Sequence, residues 1–358
     1  MASFLNSGPA MANPVENSNR ERLEASRGPL RESHAIRRIL VCIDRSALSE
    51  ACLQQAIAVS TSLGSAITLL HVMQPPHERP GEHATDVVEW EIARQEASSF
   101  LERLAREGAT ASEQHVDTRL EQGHPAERIT AVAQELDADL AVLGSHGKRG
   151  KAAWTLGSTA LQALAVARGS VMIARPNLAG DGAVSPKRLL VPLDGSLRAE
   201  SVLPTAARIA KKHGASLLLV LVIREPVPTA VLHSQEDLET ARILANRLEA
   251  NGKGYLEGLG DHLVREGASV RTLVLRHTDE RQCILDLSQR EGTDLIVLSA
   301  HGATCNSELP FGSVTTHLLT HSVVPLLVLQ DLRDSSLRGR EREESAPPLR
   351  ASYAAGSV

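Results

Sequence analysis

The chain has 358 residues and a formal net charge of -5, with 42% hydrophobic and 23% charged residues. That length suits about two domains of ordinary size, and the composition is that of a protein that buries a core rather than one disordered throughout. The acidic balance and the 2% aromatic content exclude a basic field for phosphate backbones and aromatic platforms for single strands, so nucleic acid is not an expected partner.

In chain order, residues 1–34 are rich in Asn, Ser, Pro, Arg and Glu and hold no apolar run. They read as a disordered segment without a secretory signal, which makes the cytoplasm the expected compartment. A first domain is expected over 35–175. Its aliphatic and amphipathic runs predict strand 38–43, helix 47–62, strand 65–72, helix 84–107, strand 115–121, helix 125–136, strand 139–143, helix 157–168 and strand 171–174. Residues 176–186 form a short Pro/Gly linker. A second domain over 187–331 predicts strand 188–193, helix 199–212, strand 216–223, helix 235–266, strand 269–275, helix 279–290, strand 294–298, helix 312–321 and strand 325–329. Residues 332–358, with an Arg-Glu-Arg-Glu-Glu run, read as a disordered tail.

The longest aliphatic run, Leu217 to Ile223, is far below the ~20 residues of a membrane-spanning helix and suits a buried strand, so no membrane association is expected. Cys42, Cys52, Cys283 and Cys305 have neither metal-site nor redox-motif spacing and read as reduced thiols.

The two domains repeat each other. Arg38-Ile-Leu-Val-Cys-Ile-Asp44-Arg-Ser46 recurs as Arg188-Leu-Leu-Val-Pro-Leu-Asp194-Gly-Ser196, and the same register relates Gly64 to Gly214 and Val72 to Val222. Further on, Asp139-Leu-Ala-Val-Leu-Gly-Ser-His-Gly147 matches Asp294-Leu-Ile-Val-Leu-Ser-Ala-His-Gly302, and Gly157-Ser158 matches Gly312-Ser313, in a register lengthened by a short insertion. Strands alternating with helices, and apolar on both faces, predict an α/β fold: two tandem open parallel sheets of five strands with helices on both sides.

The chemistry sits after the fourth strand. Gly144-Ser-His-Gly147 is followed by Lys148, Arg149 and Lys151 and then by Gly157-Ser158-Thr159 at a helix start. Glycines let a backbone approach an anion, and helix-start amides and hydroxyls donate to its oxygens. At the carboxyl end of a parallel sheet, such a loop is where an open α/β fold takes its ligand.

The pattern G-x-x-G-x9-G-[ST], with an aspartate closing the first strand and the whole unit duplicated, resembles the universal stress protein family over both domains. The resemblance implies strand order 3-2-1-4-5, an adenine-nucleotide alpha-hydrolase-like fold and, in the ATP-binding branch, a nucleotide across the ends of strands one, two and four. It implies that Asp44 meets the adenosine part, that Val72 packs on adenine, and that Gly144, Gly147, Lys148, Gly157, Ser158 and Thr159 serve the phosphates. Mg2+ or Mn2+ would arrive bound through the phosphates rather than through protein ligands. The second-domain positions are Pro192, Asp194, Val222, Gly302, Gly312, Ser313 and Val314. The last strands, Val171–Ala174 and Leu326–Leu329, resemble the edge through which family members pair; this implies pairing of the two domains within the chain and leaves room for a homodimer.

Each copy departs from the pattern once. Arg45 replaces the glycine after the first-strand aspartate, which crowds that turn and puts a guanidinium within reach of phosphate. Ser299 replaces the first loop glycine, at a cost of about 1 kcal/mol if that backbone needs positive φ. The second loop, between Gly302 and Gly312, holds Glu308 and no Lys or Arg, so weaker phosphate binding is expected there.

Plainer readings compete. Asp44 and Asp194 also suit turn or helix capping, and the glycines suit turn punctuation. His146 and His301 have no carboxylate, Ser or Cys partner in register and read as structural. No Walker loop, dinucleotide fingerprint or nucleophile elbow is present, and no general base is positioned, so neither catalytic residues nor a metal site are expected. A nucleotide-free scaffold of the same fold is the alternative to an ATP-binding stress protein, with a slow ATPase third.

Overall fold

The computed structural model describes residues 35–46, 48–74, 87–145, 156–166, 169–176, 185–225, 234–303 and 309–330. The terminal segments expected to be disordered and most of the expected linker lie outside them, as do Gly147 and Lys148.

The first half runs β1 (Arg38–Ile43), α1 (Leu48–Leu63), β2 (Ala66–Met73), α2 (Val87–Ser112), β3 (Val116–Gln122), α3 (Pro125–Glu135), β4 (Leu140–Gly144), α4 (Ser158–Val166) and β5 (Ser170–Ala174). The second runs β6 (Arg188–Leu193), α5 (Leu197–Glu200), α6 (Leu203–His213), β7 (Ser216–Arg224), α7 (Gln235–Arg265), β8 (Ser269–His277), α8 (Glu280–Arg290), β9 (Leu295–Ser299), α9 (Ser313–His321) and β10 (Leu326–Leu329).

Strand alternation builds two cores. Ile39, Val41 and Ile43 of β1 join the apolar cluster on one face and Leu40 the cluster on the other; Leu189, Val191 and Leu193 of β6 oppose Leu190 in the same way. Strands apolar on both faces need cover on both. Helices α1, α2, α6 and α7 supply it on the first face, and α3, α4, α8 and α9 on the second.

The first-half strands lie in the order β3-β2-β1-β4-β5 and the second-half strands in the order β8-β7-β6-β9-β10, the expected arrangement. The two sheets meet edge to edge, because β5 and β10 run antiparallel with Met172 opposite Leu327, and so form one ten-stranded sheet. Val171–Ala174 and Leu326–Leu329 are buried throughout. Such strands left as open edges would expose unpaired amides beside apolar surface, which pairing removes.

Helix contacts reinforce the junction. The last turn of α1 has no basic residue of its own, and Arg208 of α6 supplies a donor there, Nη2 to Leu63 O at 2.9 Å; one turn earlier His213 Nε2 donates to Ala58 O at 2.9 Å. Cations and donors at a helix C-terminus satisfy orphan carbonyls and oppose its dipole. Arg175, directly after β5, is fully buried; its Nη2 donates to Leu319 O of α9 at 2.9 Å, and its carbonyl accepts from Gln55 Nε2 at 2.7 Å.

The one long predicted helix that divides is 199–212. It becomes α5 and α6, because Pro204 has no amide to give an α5 carbonyl and instead occupies the first turn of a new helix. Conversely, α2 continues to Ser112 through Gly108, where an added Cβ would lie 3.2 Å from Leu53 Cδ1, so the glycine serves close helix packing rather than a helix end.

Candidate functional site

The topology brings the predicted first-half residues to one edge. Asp44 follows β1, Val72 is the penultimate residue of β2, and Gly144 ends β4. The register pairs Ile43 with His71 and Cys42 with Leu143, so all three positions stand at nearly the same level at the carboxyl end of the sheet. Asp194 and Val222 take the same places after β6 and near the end of β7. One difference comes from Pro192, which has no amide to donate. The β6–β9 ladder covers Leu189 and Leu190 alone, whereas β1–β4 pairing runs from Ile39 to Cys42.

The turns after these strands are alike. Asp44 Oδ1 accepts from the Ser46 amide at 3.0 Å; Asp194 Oδ1 accepts from the Ser196 amide at 2.9 Å and from its hydroxyl at 2.6 Å. Between them Arg45 has φ 62 and Gly195 has φ 83. The arginine therefore carries a left-handed conformation that costs about 1 kcal/mol relative to glycine. Its guanidinium reaches Glu96 Oε2 at 3.2 Å and stands 6.0 Å from the Phe100 ring, both on α2.

The loops close in the same way in both halves. The amides of Ser145 and Ala300 donate to Ala174 O and Leu329 O at 3.0 and 2.8 Å, and the carbonyls of Ser145 and Ala300 each accept from Gly157 and Gly312 at 2.8 Å. The chain thus leaves the strand and returns to the same point to begin α4 or α9. First-turn amides of a helix lack an intrahelical acceptor and point out of its start. Ser158 and Ser313 are exposed there, with Thr159 and Val314 half-buried beside them.

Neither Gly144 nor Ser299 has positive φ, so the conditional strain expected at Ser299 does not arise. Gly144 is small because an added Cβ would stand 3.0 Å from Leu48 Cδ2 and 3.4 Å from Cys52 Sγ. Ser299 is buried, donates to His301 O at 2.6 Å, and accepts at its carbonyl from Thr315 Oγ1 at 2.9 Å. At Gly312, with φ -69, an added Cβ would make only ordinary contacts, the nearest 3.5 Å from Ala300 O. The described residues alone therefore do not require glycine at that helix start.

His301 is buried, with Nε2 2.8 Å from Leu309 O, and so braces the loop. Burial raises the Cys42 thiol to about 12 and raises the Cys52 thiol as well, which keeps both protonated. Among the described residues no group of three or more His, Cys, Asp or Glu could hold a metal ion. A recess of about 510 Å³ lined by His277, Cys283, Asp286, Gln289 and Arg290 contains none of the loop residues.

The serine two residues after each aspartate and the returning carbonyls of Ser145 and Ala300 are site features that the sequence pattern did not single out. The repeated Asp-x-Ser was a signal for the first; the second is a tertiary contact without a sequence mark.

A sequence model described as the Universal stress protein family matches residues 35–175 and 186–330. The chain belongs to the universal stress protein family. This family membership supports a role in stress response. Universal stress protein MJ0577 of Methanocaldococcus jannaschii is 27% identical over 156 residues, spanning 40% of this chain and 94% of that protein. Universal stress protein YxiE of Bacillus subtilis is 26% identical over 149 residues, with 40% and 98% spanned. A solved universal stress protein from Archaeoglobus fulgidus aligns over 82% of this chain and 98% of its own at TM-score 0.57 and 19% identity, a likeness of fold. Among the described residues no helix is long and apolar enough to cross a membrane.

On α9 of this tandem universal stress protein, His317 and His321 stack with ring centroids 4.1 Å apart. Burial first, then the neighbouring His321 and Arg281, hold the His317 pKa below its ordinary value of 6.5, with Asp279 opposing. A histidine whose folded pKa is lowered contributes stability that is present above the unfolded pKa and is lost as pH falls through the folded one. Urea stability should therefore decline below about pH 6.5, and His317→Gln should flatten that decline. An unchanged pH profile in the variant would contradict this assignment.

Proposed function

We propose that the chain is a cytoplasmic ATP-binding regulatory protein of stress response, with the nucleotide held at least in the first half. The observation that carries this reading is the convergence, at one sheet edge, of Asp44, Val72 and a loop that returns through the Gly157–Ser145 hydrogen bond to a helix start bearing Ser158 and Thr159. Backbone amides and hydroxyls at a helix start suit phosphate oxygens, and Val72 offers a half-buried apolar surface to a base. Gly144, Gly147 and Lys148 complete the phosphate set in this reading, and Mg2+ or Mn2+ would be bound through the phosphates. In the second half the corresponding set is Pro192, Asp194, Val222, Gly302, Gly312, Ser313 and Val314, with weaker phosphate binding because its loop sequence has Glu308 and lacks Lys and Arg. Binding rather than turnover is the proposed activity, since the sequence positions no general base.

The test is the nucleotide that copurifies. Heat-denatured protein should release ATP or a breakdown product, and Gly147→Glu should abolish the release. A nucleotide-free chain whose melting temperature does not move in Mg-ATP would favour a scaffold of the same fold and overturn the proposal.

A further inference from the structure

We propose that Asp194 is a positioning residue that acts as an internal ligand of the second-half loop, and that Gly302 is glycine for the sake of Asp194. The two carboxylate oxygens face different parts of the chain. Oδ1 accepts from the amide and hydroxyl of Ser196 at 2.9 and 2.6 Å, which fixes the turn after β6. Oδ2 accepts from the amide of Ala303 at 2.7 Å, more than a hundred residues further along the chain. The same oxygen lies so close to Gly302 that a Cβ added there would collide with it.

These observations fit together. Gly302 is not among the residues of positive φ, so its backbone conformation does not demand glycine. The demand comes from the carboxylate packed on its α-carbon. An ionised carboxylate accepting a backbone N–H makes a charge-assisted bond, about twice as strong as a neutral one. Asp194 thus ties the end of β6 to the first residues of the loop after β9, and it occupies an amide that an incoming anion would otherwise meet. Asparagine cannot substitute: its one acceptor oxygen is retained by the local turn, where Ser196 offers both an amide and a hydroxyl, and its amide nitrogen then presents a donor to the Ala303 amide.

The experiment uses the full chain without nucleotide, so its outcome is independent of the ATP reading. Unfolding stability is measured for Gly302→Ala, Asp194→Ala and the double variant, with hydrogen exchange at the Ala303 amide as the second readout. Gly302→Ala should destabilise the chain in the presence of Asp194 and cost little in its absence, so that the two substitutions are strongly non-additive. Exchange at Ala303 should accelerate about 10- to 100-fold in Asp194→Ala, the range of one hydrogen bond to a charged group, and similarly in the isosteric Asp194→Asn. Additive costs, or Ala303 exchange unchanged in Asp194→Asn, would overturn the assignment. If Asp194→Ala does not fold, the exchange rate in Asp194→Asn decides alone.

Discussion

Arg175→Ala is expected to destabilise the folded chain by about 3 kcal/mol, read as a lower urea midpoint at an unchanged slope. The side chain is fully buried where β5 ends, and its Nη2 donates to Leu319 O at 2.9 Å. Leu319 lies in the last turn of α9, so its carbonyl has no intrahelical donor and depends on one from outside. Truncation removes that donor and leaves a space behind it, two effects of roughly 1–3 kcal/mol each. Burial also lowers the guanidinium pKa to about 10, so the charge itself is costly and the hydrogen bonding and packing offset it. Arg175→Met keeps the length and discards the charge, and should lose less than half as much. A loss below about 1 kcal/mol in the alanine variant would mean that the junction between the halves does not depend on this contact.

Gly157→Val is expected to weaken Mg-ATP binding in the first half by about 100-fold. The Gly157 amide is committed to Ser145 O at 2.8 Å, which fixes the backbone at the start of α4. A branched side chain at that point stands where phosphate oxygens would approach the first-turn amides and the Ser158 hydroxyl. Each lost hydrogen bond to a charged group costs about 1.5–3 kcal/mol. Ser158→Ala, which removes one hydroxyl and leaves the backbone route open, should cost about tenfold. The corresponding Gly312→Val change should matter less for total binding, because no Lys or Arg stands between Gly302 and Gly312 in the sequence.

Local pattern carried much of this architecture. β1 and β6 fall on residues 38–43 and 188–193, as read from aliphatic runs bounded by an arginine and an aspartate. The order of strands in each half was implied by the family resemblance and is the order observed. The split at Pro204 follows from a local signal, the missing proline amide, that the reading of 199–212 as one helix passed over, whereas continuation of α2 through Gly108 was decided by packing against Leu53 that propensity does not contain. The seam between β5 and β10 was suggested by family likeness, but its register, with Met172 opposite Leu327, depends on two strands distant in sequence. Arg175 carries no sequence signal at all, since arginine is seldom fully buried and nothing beside it marks an exception.

The site was legible to a similar depth. The family resemblance grouped Asp44, Val72 and Gly144, and strand register puts them at nearly one level. Gly144 has no positive φ, and contact with Leu48 and Cys52 adds a limit on its size that the motif did not contain. Arg45 was read as crowding its turn with a guanidinium within reach of phosphate; the turn does take a left-handed φ, and the guanidinium reaches Glu96 and stands over Phe100 on α2. In both cases the deciding partner lies on a helix whose facing side cannot be fixed from a linear pattern.

The most direct test is calorimetric titration of the nucleotide-stripped full chain with Mg-ATP, in the natural sequence and in Gly157→Val and Gly312→Val separately. Binding through the first-half loop predicts saturable heat in the natural sequence, loss of its tightest event in Gly157→Val, and retention of that event in Gly312→Val. The absence of heat in the natural sequence, or equal loss in both variants, would contradict it.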